Sequence, residues 1–273
     1  MNIQVLVAAM EQNDYSLPQK MNLQTSAIIG NQCDRNSIEE STYKGNKVKY
    51  LNFAERGVGL NRNNALLRAD GDVLMFADAD EVFVDEYPKI VERAYKELPD
   101  ADAIIFNITT LGQNVGRRDI KKISRVKLLN ALNYGAARLT VKKQSVKREN
   151  ILFHTQFGGG TPYSSGEDTL FIADLLKHKL KVYVYPATIA SVDQGTSTWF
   201  NGYTDKYFYD KGALFAALSK KCGWLLCRLI MFKNRKELFN DGVSYRQGKK
   251  LAKAGMSGFI HNVPFEQWKT NDK

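Results

Sequence analysis

Short apolar runs alternate with helical patterns along the first hundred residues of the chain. Each run has the length of a buried strand and is bounded by polar or glycine-containing segments. The runs lie at residues 3–9, 26–30, 48–53, 73–77 and 103–107. Apolar residues at helical spacing occupy 59–69, and a proline near its start marks a second helix at 88–95. Strands that alternate with helices predict an α/β fold with a mixed, mostly parallel sheet flanked by helices.

The remaining residues predict further elements and a change of character near residue 200. A turn-rich loop contains three consecutive glycines, an apolar helix follows at 169–176, and a strand at 182–185 should be closed by Pro186. From Trp199 onward the pattern is helical, aromatic and basic. We therefore expect one α/β domain over residues 1–200 and a C-terminal helical, basic and aromatic extension over 201–273.

Two aspartates follow the fourth strand. Alternation along an extended chain places Asp78 and Asp80 on the same side, one residue apart. Two neighbouring carboxylates repel each other unless a cation or a hydrogen-bonding ligand lies between them. A divalent cation that also binds a diphosphate would satisfy both, because Mg²⁺ takes few protein carboxylates and completes its shell with phosphate oxygens and water. The alternative is a strand that ends in a solvated acidic turn.

The net charge of +10 is unevenly distributed. Residues 117–150 carry eleven Lys and Arg against two acids, and residues 201–273 carry fourteen against six. The local charges of +9 and +8 leave 10 − 17 = −7 for the rest, which contains the two aspartates. This asymmetry favours polyanionic partners, namely nucleic acid, anionic lipid or diphosphate-bearing substrates. The alternative is a pair of ordinary solvated helix faces.

Three motifs in a fixed order resemble family 2 glycosyltransferases of the GT-A fold. They are Gly59–Asn63 with Arg62 inside it, Phe76–Glu81 at the end of the fourth strand, and Gly166–Asp168 before an apolar helix. The resemblance covers about residues 1–200 and is to bacterial members that build capsule, O-antigen and other surface polysaccharides. It implies a donor half at about 1–110, an acceptor half at about 111–200, and an enzyme that uses a nucleoside diphosphate sugar, with a UDP-sugar favoured.

The resemblance also implies roles for the acidic and basic residues of the motifs. Asp78 would contact the donor ribose, and Asp80 would bind Mn²⁺ or Mg²⁺, with Asp78 or Asp193 as further ligands. Arg62 would pair with phosphate, unless it is a solvated helix residue. Asp168 would be the general base of an inverting transfer, and Glu167 would contact the acceptor or hold the loop. Helix capping and the favourable interaction of acids with the helix dipole are the competing explanations for this acidic pair.

The chain departs from the family pattern at several positions. Ala8 and Met10, which we expect at the donor site, stand where the family often has a base-contacting Thr-Tyr-Asn-like segment. After the second strand, Asn31-Gln32-Cys33-Asp34 replaces the usual pair of aspartates, and Asp34 would contact the donor base. No histidine completes a metal site after residue 185, which leaves Asp193 or Gln194 as oxygen ligands there. For the acceptor we expect contacts from Gly159, Gly160 and Trp199.

The cysteines and the composition of the C-terminal extension bear on the location of the protein and on its acceptor. An odd number of cysteines without paired spacing favours a reducing cytoplasm. The extension combines apolar, aromatic and basic residues, which suits either an interfacial helix on the inner face of the cell membrane or a helical cover of the sheet. The first option would bring the enzyme to a saccharide acceptor linked to polyprenyl diphosphate.

Two other classes of protein share part of this sequence pattern. A nucleotidyltransferase would also use paired aspartates, but it normally has a glycine-rich basic loop after the first strand, where this chain has Met10-Glu11-Gln12-Asn13. A nucleic-acid-binding protein would explain the basic segments, yet no zinc spacing, aromatic RNA-binding signature or helix-turn-helix pattern accompanies them.

Overall fold

The structure is a computed structural model that describes residues 1–111, 119–193, 202–239 and 242–271. Trp199 lies outside these residues, as does the side chain of Asp193. Within the described residues, no helix has both the length and the apolar character that crossing a bilayer requires. All three cysteines are free thiols; Cys33 and Cys227 are buried and Cys222 is exposed.

The described residues form ten strands, eleven helices and one 3₁₀ turn at Ala136–Arg138. The strands are β1 (Ile3–Met10), β2 (Ser26–Gln32), β3 (Ser37–Tyr43), β4 (Asn46–Phe53), β5 (Val73–Asp78), β6 (Glu81–Phe83), β7 (Ala103–Leu111), β8 (Ser124–Arg125), β9 (Leu139–Lys142) and β10 (Val182–Asp193). The helices are α1 (Leu17–Lys20), α2 (Val58–Arg68), α3 (Tyr87–Glu97), α4 (Leu128–Ala131), α5 (Lys143–Arg148), α6 (Glu167–Lys177), α7 (Asp205–Leu218), α8 (Gly223–Lys233), α9 (Arg235–Leu238), α10 (Tyr245–Ile260) and α11 (Phe265–Asn271).

All ten strands belong to one sheet, in the order β3-β4-β2-β1-β5-β9-β7-β10-β6, with β8 paired to β10. The four central strands of the first half, β4, β2, β1 and β5, run parallel. Antiparallel β9 separates them from the parallel pair of β7 and β10. The predicted mixed α/β sheet is therefore confirmed. Since β1, β2 and β5 end at the same edge, the residues that follow them meet there.

Alternate residues of the central strands enter two different cores, because successive side chains of a strand point to opposite faces. On β5, Met75 and Ala77 pack on one side with α3, whereas Leu74 and Phe76 pack on the other with α2 and α6. Burial on both faces explains why this strand is a continuous apolar run instead of an alternating one.

The C-terminal helices form a third core against one side of α6. Leu170 and Ala173 of α6 pack with residues of α7, α8, α10 and α11. Helices α7 and α10 approach at backbone distance: a Cβ added at Gly212 would lie 1.9 Å from the Ala252 carbonyl oxygen, and one added at Gly255 would lie 1.9 Å from the Tyr209 carbonyl oxygen. The helical character predicted after Trp199 is confirmed for the described residues.

Two features of the sheet differ from the sequence-based expectation. Strand β10 continues through Pro186 to Asp193, so the prediction that this proline closes the strand is wrong. The register against β7 shifts between Val184 and Thr188, and in such a bulge the missing N–H of proline costs no ladder hydrogen bond. The β3–β4 hairpin was not predicted; its turn residues Lys44 and Gly45 both have positive φ, as a type I′ turn requires.

Candidate active site

A single arginine joins the three motifs at the carboxyl edge of the sheet. Arg62 of α2 is only 3% exposed, and its guanidinium contacts three carboxylates. Nη2 donates to Asp78 Oδ1 at 2.7 Å, while Nη1 donates to Asp168 Oδ1 at 2.6 Å and to Glu167 Oε1 at 3.1 Å. The alternative that Arg62 is a solvated helix residue is therefore excluded.

The local sequence of α2 explains how it delivers this arginine. The helix follows Gly57, whose φ of 119° is strained for other residues. Asn61 packs so closely on β2 that a Cβ at Gly30 would lie 2.6 Å from its Oδ1. Asn63 exchanges two hydrogen bonds with the backbone of Phe153, at 2.9 and 2.8 Å. These contacts on both sides of Arg62 fix the helix face that points into the site.

A cluster of three phenylalanines holds the acidic motifs in register with Arg62. Phe76 lies two residues before Asp78 on β5, and Phe171 lies on α6. Phe153 stacks on Phe171 at 4.1 Å between ring centroids and meets Phe76 edge-on at 5.0 Å. The guanidinium carbon of Arg62 lies 5.5 Å from the centre of the Phe153 ring. The aromatic packing thus positions β5 and α6 around the guanidinium.

Burial and charge act against each other in this cluster. Burial alone would lower the pKa of Arg62, but the carboxylates of Asp168, Asp78 and Glu167 raise it above its ordinary value. Burial, reinforced by the neighbouring Asp168, raises the pKa of Glu167 to about 8 although Arg62 opposes the shift. Three acids around one cation leave an excess of negative charge, which disfavours the charged form of the buried Glu167.

The acidic pair at the start of α6 does not cap its helix. Gly166 is the N-cap residue, and no side chain accepts a hydrogen bond there as a cap. Glu167 Oε2 instead accepts the N–H of the preceding Gly166 at 3.2 Å, and both acids reach across to Arg62. The capping alternative is therefore wrong for this pair.

The aspartates after β5 are arranged differently from two positions on one extended strand. Asp78 ends β5, residues 79–80 form a turn, and Glu81 begins β6. Buried Glu81 accepts the backbone N–H of Asp78 at 3.3 Å and so closes the turn. Asp80 is exposed at the tip. The expectation that both carboxylates share one side of a strand is corrected: Asp78 faces Arg62, and the turn carries Asp80 toward solvent.

The glycine loop packs directly on the acidic pair and on α2. Gly158 has a φ of 103°, and a Cβ there would lie 2.7 Å from Glu167 Oε2 and 2.4 Å from Val58. The carbonyl of Gly159 accepts the N–H of Val58 at 3.1 Å. Gly166, with a φ of 129°, allows Leu214 of α7 to approach within 2.7 Å of its would-be Cβ. Glycines here permit close packing around the carboxylates.

One cleft of about 690 Å³ brings most of the expected site residues together. Eight of the twelve line it, namely Ala8, Met10, Arg62, Asp78, Asp80, Gly159, Glu167 and Asp168. Two others lie elsewhere: Asp34 is exposed after β2, and Gly160 packs against the backbone of Gly57. Asp193 ends β10 beside Val192, which does line the cleft.

The cleft also contains residues that sequence reasoning missed. Lys211 and Leu214 of α7 line it, so the C-terminal extension contributes directly to the site. Burial lowers the pKa of Lys211. Arg138 lines it as well and is held by the carbonyl of Phe106 at 2.7 Å. No local motif surrounds either residue, since each reaches the cleft only through the packing of distant segments.

The charges of the cleft bear on metal binding. Among the described residues, five carboxyl groups and three cationic side chains line it: Asp78, Asp80, Glu81, Glu167 and Asp168, against Arg62, Arg138 and Lys211. No group of three or more His, Cys, Asp or Glu in the described residues could hold a metal ion by itself. This donor set fits a divalent ion that shares one or two carboxylates with a bound diphosphate, and it does not fit a closed protein cage.

Comparison with known proteins finds one matching family model. Residues 31–160 match the model described as "Glycosyl transferase family 2". Over this segment the chain is similar to family 2 glycosyltransferases. The matched segment of this glycosyltransferase includes Arg62 and the turn from Asp78 to Asp80, and it ends before Glu167 and Asp168. No curated protein matches the sequence.

Solved structures share the fold of this glycosyltransferase. S. aureus TarS 1-349 in complex with UDP-GlcNAc superposes with a TM-score of 0.67 at 16% identity, covering 97% of this chain and 82% of that one. TarS 1-349 alone gives a TM-score of 0.62 at 15% identity, covering 100% and 92%. The chain spans 50% of the longer TarS structure, at a TM-score of 0.64 and 18% identity. At these identities the likeness shows the fold, which is the expected GT-A arrangement.

Replacing Glu167 with glutamine should remove a pH-dependent part of the stability. Folding raises the pKa of this carboxyl from 4.5 to about 8, so the folded protein holds a proton that the unfolded chain releases. The contribution of this proton to the free energy of unfolding is complete below the pKa of the unfolded state and is lost as the pH rises through the pKa of the folded state. We expect the wild-type free energy of unfolding to fall over this window, by at most about 1.4 kcal/mol per pH unit for one proton.

Urea unfolding of wild type and Glu167→Gln at several pH values measures this slope. The variant should show a flatter dependence, while Glu149→Gln, which removes a carboxylate from a surface ion pair with Arg148, should keep the wild-type slope. Identical slopes for wild type and Glu167→Gln would show that Glu167 gains no proton on folding.

Proposed function

We propose that this glycosyltransferase transfers a sugar from a UDP-sugar to a hydroxyl group of a saccharide acceptor, with inversion at the anomeric carbon. The observation that carries the proposal is the cleft in which Arg62 holds Asp78 on one nitrogen and Asp168 on the other. One planar guanidinium thereby sets the spacing between Asp78, at the end of β5, and Asp168, which is suited to deprotonate an acceptor hydroxyl.

The donor half of the cleft supports a nucleoside diphosphate sugar. Ala8 and Met10 at the end of β1 and Asp78 at the end of β5 line the part that follows the parallel strands, where α/β sheets bind nucleotides. The volume of about 690 Å³ lies within the range of small-molecule sites. TarS, which shares the fold, was crystallised with UDP-GlcNAc and with UDP, and this favours a uridine nucleotide here.

A divalent cation, Mn²⁺ or Mg²⁺, would be held by Asp80 together with Asp78. An excess of carboxylates in the cleft would repel the two negative charges of a diphosphate, and a divalent ion offsets both. When bound, it would supply Lewis-acid stabilisation of the departing diphosphate. Glu81 accepts the backbone N–H of Asp78 and so holds the turn that carries Asp78 and Asp80.

Asp168 is the proposed general base. Its Oδ1 is fixed by Arg62 Nη1, and its side chain is 28% exposed, against 11% for Glu167. The acceptor hydroxyl gives its proton to the Asp168 carboxylate as its oxygen attacks the anomeric carbon, and the bond to the diphosphate breaks on the opposite face. Buried Glu167 holds Arg62 and the Gly166 backbone in place and so positions this base.

The acceptor side is formed by the glycine loop and by α7, through Gly159, Ser165 and Lys211. We propose a saccharide acceptor carried on a polyprenyl diphosphate, in the synthesis of a capsule or O-antigen type of polysaccharide. The family match over residues 31–160 favours glycosyl transfer over nucleotidyl transfer as the role of the paired aspartates.

Donor binding should depend on a divalent ion and on Asp80. Calorimetric titration with a panel of nucleoside diphosphate sugars should find binding of a UDP-sugar with Mn²⁺ or Mg²⁺ and at least about tenfold weaker binding after chelation, because the charge of the diphosphate is then uncompensated. Asp80→Asn should weaken metal-dependent binding similarly. Asp85→Asn, which changes another exposed aspartate, serves as the control. Metal-dependent binding that survives Asp80→Asn would refute this site.

Transfer should depend on Asp168 without a matching loss of donor binding. Asp168→Asn should lower kcat by about 10²- to 10⁴-fold, the usual contribution of a general base. Asp174→Asn on the same helix, where the aspartate pairs with Lys177 at the surface, should leave kcat unchanged. The assay measures UDP release with acceptor, and titration measures the donor Kd. Full turnover by Asp168→Asn would exclude it as the base.

A further inference from the structure

Helix α8 (Gly223–Lys233) is apolar on two opposite faces, and the residues that the structure describes cover only one of them. Gly223, Cys227 and Met231 recur every four residues and are buried in the C-terminal core. The inner face contacts α7 at backbone distance, since a Cβ at Gly223 would lie 2.2 Å from the Phe215 carbonyl oxygen. Packing on the domain therefore accounts for the inner face of the helix.

The outer face carries a ridge of large apolar side chains in solvent. Leu225, Leu229 and Phe232 are 59%, 55% and 57% exposed. Their spacing of four and three residues places them on one stripe of the helix. An isolated exposed leucine needs no explanation, but three neighbouring large apolar residues on a helix with a second, buried apolar face indicate a contact that the described part of the chain does not supply.

The surroundings of this ridge identify the kind of surface it would contact. Residues 220–236 contain six Lys and Arg and no Asp or Glu. All six are exposed: Lys220, Lys221, Arg228, Lys233, Arg235 and Lys236. An apolar ridge flanked by cations complements a layer that is negatively charged at its surface and apolar just beneath, which describes an anionic lipid leaflet. The helix has 11 residues, about 16 Å at 1.5 Å per residue, and so would lie in the interface.

Other occupants match only part of this surface. A second copy of the chain would bring the same six cations against them, and a like-charge interface of this density is unfavourable. A nucleic acid would complement the charge but has no apolar layer for Leu225, Leu229 and Phe232. We propose that the outer face of α8 docks the enzyme on an anionic membrane surface.

The position of α8 connects this docking surface to the cleft. Its inner face packs on α7, and α7 presents Lys211 and Leu214 to the cleft. Docking through α8 would hold the acceptor side of the site near the lipid surface, where a lipid-linked saccharide would be found. Only this last step rests on the proposed function; the docking itself does not.

Vesicle flotation of the full chain tests the proposal. Wild type should float with vesicles of one part phosphatidylglycerol to two parts phosphatidylcholine, and should not float with phosphatidylcholine alone or at high salt. The combined variant Leu225→Ser, Leu229→Ser and Phe232→Ser should lose at least about tenfold in apparent affinity. The matched control Ile38→Ser, Leu67→Ser and Leu152→Ser changes exposed apolar residues elsewhere and should bind as wild type does.

Thermal unfolding and donor titration establish that both variants are folded. Equal binding by the α8 variant and wild type, or equal wild-type binding to anionic and neutral vesicles, would overturn the proposal. A wild-type dimer that the α8 variant converts to monomer, without vesicle binding, would assign the ridge to a second copy instead. UDP-sugar turnover on a soluble acceptor is measured separately, so a failure of the proposed function remains distinguishable from a failure of docking.

Discussion

The organisation of this protein depends on one buried cation, Arg62, and the three carboxylates that bind it. A buried charge is tolerated only when partners with good geometry compensate its desolvation. Here the partners come from β5 and from the start of α6, up to 106 residues away in sequence. The fold must therefore bring α2, β5 and α6 together accurately, and the packed rings of Phe76, Phe153 and Phe171 do so.

The same interaction supports the glycosyl transfer that we propose for this site. The two nitrogens of the guanidinium bind Asp78 and Asp168, which we propose face the donor and the acceptor, so a single rigid group defines the separation of these two acids. Preorganisation of this kind lowers the cost of aligning base, sugar and leaving group. The excess of carboxylates that remains suits a cleft that receives its compensating cation together with the substrate.

Much of this arrangement was predictable from sequence, and the exceptions have physical reasons. Strands such as β5 were visible because burial on both faces produces a continuous apolar run. The contact of Arg62 with Asp168 was not, because sequence spacing carries no information on which distant segments meet. Lys211 was missed for the same reason. The expectation that Asp80 lies on an extended strand was wrong because a turn follows Asp78. The buried carboxylate of Glu81 closes this turn, and the sequence does not distinguish this buried acid from the exposed acids beside it.

A double-mutant cycle between Arg62 and Asp168 tests the central claim most directly. Urea unfolding gives the free energies of wild type, Arg62→Met, Asp168→Asn and the double variant, and the same cycle on the surface pair Arg148 and Glu149 gives the reference. A buried, charge-bearing anchor predicts a coupling energy of at least about 1 kcal/mol for Arg62 and Asp168, with a smaller value for the surface pair. Additivity within about 0.3–0.5 kcal/mol would show that Arg62 does not hold the motifs together.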